Sequence, residues 1–439
     1  FRTSLLQRIQ CRNTFGNRKP YSTAMNISIE TPGEKSFREF ERTNNSVISN
    51  DKFTPRVNIF GKVLLKSMTL PQLEDYVVDV LQDKKFRARQ LWRWMYHPSC
   101  LSDSFEKMTV LSKEFRAKLE ENCAIDSLEL DKVHQAADGT RKLTFKLVSQ
   151  PGGGIIETVL IPSEDRATLC VSSQLGCALN CQFCHTGKMG LQRHLGLEEI
   201  VDQLVITKRL FDHEQRISNI VYMGLGEPMH NLENVLKAVD VMVHDQGLHM
   251  SHNKVTVSTS GLIPEMRRFI RESKANLAVS LNASNDEVRS WIMPINRKYN
   301  LDSLMSMLAQ EFPRRGDNFG KLQHKVFFEY IMLKGVNDSL EDAKNILRIT
   351  AKVPSKINLI RFNTHEGSEF QGSDESTILE FQNYLKSKGK LVTIRESRGD
   401  DAMMACGQLG KLGDKPMPPR MKVPERYRKA VSIKAHVAK

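Results

Sequence analysis

The chain lacks any uninterrupted apolar run of the roughly 18–20 residues that a membrane-spanning helix requires, so no membrane partner is expected. Its eight cysteines in 439 residues are too sparse and too uneven for the disulfide framework of a small secreted domain. Acidic residues are missing altogether from 1–29. Between Lys411 and Lys439 only Asp414 and Glu425 are acidic. Aromatic residues make up 7%, so a stretch where they gather stands out.

What is present is a chain 40% apolar, long enough for one large domain plus a smaller one. The formal net charge of +13 favours a polyanionic partner such as nucleic acid. The acid-free start carries Arg2, Arg8, Arg12, Arg18 and Lys19, with Phe1, Leu5 and Ile9 on one face of a helix. Residues 1–29 therefore read as an organelle transit peptide for a mitochondrion or plastid. A disordered basic tail on a cytoplasmic protein is the alternative.

Residues 30–62 read as a polar linker. Over 63–125 the apolar spacing is helical, with Leu70, Leu73, Tyr76, Val77 and Val80 recurring. Within it the segment 86–96 mixes Arg87, Arg89 and Arg93 with Phe86, Trp92, Trp94 and Tyr96. That mixture suits either an RNA-binding face or an amphipathic helix that buries its rings. Residues 126–166 read as a β-hairpin linker, with alternation at 142–147, glycines at 152–154, and a second strand at 155–161. From 167 to 410, apolar runs at 169–171, 220–223, 255–257, 277–279, 326–328, 357–360 and 391–394 alternate with helical segments such as 198–211, 231–243 and 339–351. Repeated βα units imply a parallel sheet, either doubly wound or a partial barrel, with ligands at the C-terminal strand ends. Residues 411–439 form a basic tail, poised along RNA or simply solvated.

Four of the eight cysteines fall within fifteen residues. Cys177, Cys181 and Cys184 have the spacing C-x3-C-x2-C and follow the first strand of the βα region. Iron–sulfur cubanes are normally held by four thiolates, so three leave one iron open for chemistry. A zinc site completed by a distant ligand is the alternative. The next strand ends in Gly224-Leu225-Gly226-Glu227-Pro228. Glycine there lets backbone approach a ligand, and the carboxylate can accept hydrogen bonds from an ammonium group.

These segments, with Ser258-Thr259-Ser260-Gly261, Met293-Pro294-Ile295-Asn296, Lys356-Ile357-Asn358-Leu359-Ile360 and Ala405-Cys406-Gly407-Gln408-Leu409, resemble the RlmN family of radical S-adenosylmethionine (SAM) methyltransferases. The resemblance runs over about residues 63–415. It implies an α/β fold: a partial (βα) TIM-like barrel of the radical SAM type with a small N-terminal helical domain. It implies methylation of carbon 2 of adenine in large-subunit ribosomal RNA and, in bacteria, in some transfer RNAs. Cys177, Cys181 and Cys184 would ligate a 4Fe-4S cluster. Gly226, Glu227, Ser258, Ser280, Leu281, Asn282 and Asn363 would bind SAM. The family usually has His where this chain has Asn282. Cys406 would carry the methyl group, Cys170 would be the second catalytic cysteine, closing a disulfide with it, and Glu157 would accept a proton.

The two extra thiols answer a chemical need. Carbon 2 of adenine is too weak a nucleophile to attack SAM, whereas a thiolate is competent. A monomer served by a flavodoxin or ferredoxin electron donor is expected. Methylation at carbon 8 by related machinery, and a non-catalytic iron–sulfur or zinc RNA-binding protein, are the alternatives. Cys11, Cys100 and Cys123 match nothing catalytic.

Overall fold

The computed structural model describes residues 53–149, 153–313, 325–365, 368–399, 404–405, 407–410 and 418–431. The expected transit peptide, Cys406 and much of the tail lie outside these residues.

The first described region is helical: α1 (Leu70–Asp79), α2 (Phe86–Tyr96) and α3 (Lys113–Asn122). Thr69 and Gln72 cap α1 reciprocally, and the Ser112 hydroxyl accepts the Phe115 N–H at the start of α3. Leu73, Tyr76 and Val77 of α1 join Leu91, Trp92, Met95 and Tyr96 of α2 in the core. The rings of Trp92 and Tyr96 lie 4.6 Å apart and are buried, so they serve packing rather than base stacking. Arg89 and Arg93 stay on the outer face.

The rest is built on a ten-stranded sheet. In chain order its strands are β1 (Leu128–Gln135), β2 (Arg141–Leu147), β3 (Ile155–Pro162) and β4 (Ala167–Cys170), then, beyond a separate hairpin of β5 (Gln174–Cys177) and β6 (Gly190–His194), β7 (Ile217–Tyr222), β8 (Val255–Thr259), β9 (Asn276–Ser280), β10 (Val326–Met332), β11 (Ser355–Arg361) and β12 (Leu391–Arg395). Strand order is β12-β11-β10-β9-β8-β7-β4-β3-β2-β1. From β4 to β12 every neighbour is parallel and each new strand adds beside the last. The order never reverses, which separates a singly wound, barrel-like sheet from a doubly wound one. The seven apolar runs read from the sequence are these seven strands. Helices α4 (Leu197–Phe211), α5 (Leu232–Val243), α6 (Ile263–Glu272), α7 (Asp286–Ile292), α8 (Leu301–Glu311), α9 (Leu340–Ile349) and α10 (Glu375–Ser387) connect or follow the strands.

The hairpin read as a linker is integral to this sheet. β2 and β3 pair antiparallel, β3 pairs with β4, and β1 forms the edge. β1 was not legible, because Leu-Glu-Leu-Asp-Lys-Val-His-Gln alternates weakly and is mostly exposed.

Side chains alternate between the faces of a strand, and residues opposite each other on neighbouring strands share a face. Val159 opposes Cys170, Cys170 opposes Val221, Ser258 opposes Ala278, Ser280 opposes Glu329, and Glu329 opposes Asn358. Lys142 opposes Val159, two residues from Glu157. Lys142, Glu157, Cys170, Ser258, Ser280, Glu329 and Asn358 thus share the inner face. The other face of β10 carries Phe328 and Tyr330 into the helical layer, where Tyr330 stacks on Phe381 of α10 at 5.5 Å.

A buried ion network joins the helical region to α4. Lys66, fully buried, bonds Asp202 and, at 2.8 Å, Asp126. Asp202 also accepts the Ser127 N–H at 2.6 Å, and Arg209 binds Asp126 through both terminal nitrogens. No described helix is long and apolar enough to cross a membrane.

Candidate active site

The cysteine loop does not leave β4 directly. The chain turns through Val171, Ser172 and Ser173 into β5, and the loop joins β5 to β6 above the strand ends. Gly176 permits this hairpin: at φ +76° it is left-handed, and a Cβ there would sit 1.9 Å from the Gly190 carbonyl oxygen. Asn180, at φ +52°, bends the loop so that Cys177, Cys181 and Cys184 line one cavity.

Burial pushes the Cys177 thiol well above its ordinary value, and the neighbouring Cys181, Cys184 and Glu227 add to the rise. Burial likewise raises Cys181, followed by the charges of Cys184 and Glu227, and it raises Cys184 against backbone and Thr186 hydrogen bonds. The three residues remain partly exposed toward the cavity. Among the described residues no three His, Cys, Asp or Glu converge on the position of a single metal ion. A cubane spreads its thiolates over different irons and asks for a wider triangle. No disulfide joins the described cysteines.

Glu227 closes the opposite wall. Its carboxylate accepts the Ser260 N–H at 2.8 Å and the Met229 N–H at 3.1 Å, and its own N–H donates to Gln174 at 2.7 Å. Burial pushes this carboxyl up, while hydrogen bonds from Ser260, Thr259 and Met229 pull it back. Gly226, at φ +102°, lies so close to Gln174 that a Cβ would approach its side chain to 2.5 Å.

The C-terminal segment covers the loop. Gly407 accepts the His185 N–H at 2.8 Å, Leu409 accepts the Thr186 hydroxyl at 2.8 Å, Pro419 accepts Asn180 Nδ2 at 2.9 Å, and the Met421 N–H donates to Gln182 at 3.0 Å. Gly410 donates its N–H to Glu157 Oε2 at 2.9 Å, and Lys142 Nζ stands 3.6 Å from Glu157 Oε1. The residues flanking Cys406 thus lie at the cysteine loop and at Glu157.

Of the residues singled out from sequence, Cys177, Cys181, Cys184, Gly226, Glu227, Ser258 and Ser280 line the cavity together. Glu157 and Cys170 lie on the same inner face of the sheet but are not among the lining residues. Leu281, Asn282 and Asn363 do not line it either. Asn282 spends its side chain within the fold, accepting the Ile331 N–H at 2.9 Å and donating to Met293 Sδ at 3.3 Å, and Asn363 Oδ1 accepts the Ser397 hydroxyl.

Two site residues escaped the sequence reading. Glu329 lines the cavity, is 5% exposed, and leaves Oε2 without a hydrogen bond while Oε1 accepts Asn358 Nδ2 at 2.8 Å. Burial pushes its carboxyl up against the pull of Arg395. An acid inside the apolar run Val326-Phe327-Phe328-Glu329-Tyr330-Ile331-Met332 was the signal available. Ser260 belongs to a motif already noted, yet its hydrogen bond to Glu227 could not be read from it.

A three-cysteine loop and an acidic strand end, set over one mouth of a singly wound parallel sheet, define a radical SAM enzyme. The Radical SAM superfamily matches residues 171–347, and the Ribosomal RNA large subunit methyltransferase N-terminal domain matches residues 63–125. The chain is 48% identical over 353 residues to the Dual-specificity RNA methyltransferase RlmN of Pelobacter propionicus, covering 80% of this chain and 97% of that one. It is 46% identical over 349 residues to the protein of that name from Geobacter sulfurreducens, covering 79% and 92%. A crystal structure of a radical SAM methyltransferase from Sphaerobacter thermophilus matches with a TM-score of 0.73 at 37% identity, over 79% of this chain and 98% of that one. The chain belongs to the RlmN family of radical SAM methyltransferases.

Proposed function

We propose that this chain methylates carbon 2 of an adenine in RNA, with large-subunit ribosomal RNA as substrate and transfer RNA as a second one, through a methyl group carried on Cys406. One observation supports this reading above the others: the cysteine loop, Glu227 and the residues flanking Cys406 meet at one mouth, with Glu157 bonded to the same C-terminal segment.

The residues fit a 4Fe-4S cluster with SAM. Three thiols line one cavity, no fourth cysteine joins them among its lining residues, and Glu329, which lines the same cavity, has a buried oxygen without a hydrogen bond. Cys177, Cys181 and Cys184 would hold the cluster, and Glu227 would accept the ammonium group of SAM. Bound there, cluster and SAM supply the hydrogen-atom abstraction that activates the methyl group on Cys406.

The chain's own residues do the rest. Cys406 first displaces S-adenosylhomocysteine from SAM as a thiolate, forming its S–CH3 bond. Glu157, held by the Gly410 N–H and Lys142, accepts the proton that leaves carbon 2. The adduct also gives up its odd electron. Cys170 as a thiolate then attacks the sulfur of Cys406, and the S–C bond breaks with its electron pair going to the carbon. A proton taken up there completes the methyl group, and the disulfide left behind is reduced by two electrons from a dithiol reductant before the next turnover. The base must be unpaired or flipped out to reach this mouth. A low-potential one-electron donor of the flavodoxin or ferredoxin class completes the cycle. The protein acts as a monomer, and the acid-free, arginine-bearing residues 1–29 support import into a mitochondrion or plastid.

The test is anaerobic reconstitution followed by turnover on RNA with methyl-labelled SAM. About four irons per chain, label on Cys406 before RNA is added, and 2-methyladenosine as product are expected. Cys406→Ala should keep the cluster absorbance and lose methylation. Zinc without iron would favour a binding protein, and label at carbon 8 would favour the related regiochemistry.

A further inference from the structure

Arg289 of α7 is fully buried. It spends its guanidinium on four neutral oxygens: Nε on Leu281 O at 3.0 Å, Nη1 on Asn296 Oδ1 at 2.9 Å, and Nη2 on Ser260 O at 2.8 Å and Ser280 O at 3.0 Å. A buried cation without an adjacent anion is costly. Burial pushes this guanidinium down to about 10, still charged at neutral pH, with Cys181 and then Asp286 opposing that fall. Asp286 is already engaged, its Oδ1 accepting Asn296 Nδ2 at 2.8 Å and the Leu301 N–H at 2.9 Å.

Asp286 apart, the charge that favours the guanidinium is that of Cys181 in the cysteine loop, and two features tie Arg289 to that loop. Ser260 and Ser280, whose carbonyls Arg289 holds, line the same cavity as Cys181. Ile292, the last residue of α7, accepts the Gln182 N–H at 2.9 Å, between Cys181 and Cys184. We propose that Arg289 is the built-in countercharge of the iron–sulfur cluster, a positioning residue that stabilises the more negative, reduced form and so raises its reduction potential.

This assignment rests on the cluster reading above. Three thiolates outweigh the charge of a cubane core, and one-electron reduction adds a further negative charge. A fixed cation in a low-dielectric setting favours that added charge. The four carbonyl and amide bonds hold the guanidinium in place, so the charge need not reorganise when the electron arrives.

The test is the midpoint potential of the reconstituted full chain, read by electron paramagnetic resonance in a reductive titration. Arg289→Gln should take up the same iron per chain and titrate at a lower potential, and Arg289→Lys, which keeps the charge, should titrate close to the parent. If Arg289→Gln does not fold, Arg289→citrulline keeps the shape and most donors while removing the charge, and the same fall is expected. Equal potentials in all forms, or an equal fall in the Lys and neutral variants, would overturn the countercharge. A parent chain that takes up no iron would overturn the cluster reading beneath it.

Discussion

Two buried cations show how differently one chain can treat the same electrostatic problem. Lys66 sits between two carboxylates, Asp202 and Asp126, and Arg209 balances the surplus. The four oxygens that Arg289 hydrogen-bonds are all carbonyl or amide oxygens, none a carboxylate. The first network is closed: its charges cancel within the fold, and it ties the helical region to α4. The second is open toward three thiols. A closed network belongs to stability and an open one to a ligand, so mutations in the two should fail in different assays.

The largest expected effect breaks the closed network. Lys66→Met leaves Asp202 buried without its cation and should cost about 3–5 kcal/mol of stability, seen as a shifted denaturation midpoint. Adding Asp202→Asn should recover part of the loss. A Lys66→Met chain as stable as the parent would dissolve the contrast.

Next is the open region. Glu227→Gln keeps the shape but removes the charge that faces the cavity. SAM affinity should fall by about 10–100-fold in calorimetric titration, with little change in the melting midpoint. A large loss of stability with unchanged affinity would make Glu227 structural.

The smallest effect sharpens the comparison within the first region. Glu198 lies on α4 one turn before Asp202, buried, 2.6 Å from Arg56 Nη1 but with neither carboxylate oxygen hydrogen-bonded. Burial is the main cause that raises its carboxyl to about 7. Because the folded form holds the proton more tightly than the unfolded chain, stability falls as pH rises from about 4.5 to about 7 and then levels. Glu198→Gln should flatten that slope, adding about 1–3 kcal/mol above pH 7 and nothing below pH 4.5. An unchanged slope would place the titration elsewhere.

The sequence announced whatever is local. Seven apolar runs became seven strands because short β-branched and apolar stretches between helical segments suit a parallel sheet that is covered by helices on one face and closed around a site on the other. The cysteine spacing lay within a single loop. What escaped was set by partners far away in sequence. Trp92 and Tyr96 look alike as base-stacking or core residues until a neighbouring helix decides. Arg289 reads as an ordinary charged residue on a short helix until Ser260 and Ser280, from two strand ends, supply its acceptors. Asn282 fits a ligand-binding segment by position, yet its amide is consumed by Ile331 and Met293.

The bonds that cover the cysteine loop also impose an order in time. Thr186 meets Leu409 across 223 residues, and Asn180 meets Pro419 across 239. Strands from β4 onward each pair with the one just made, so a chain growing from its N-terminus can lay down the sheet as it emerges. The three thiols are then in place well before their cover has been synthesised. A chain made from its N-terminus therefore passes through a stage at which the loop stands open, and the segment carrying Leu409 and Pro419, translated long after the loop, is the one that seals it.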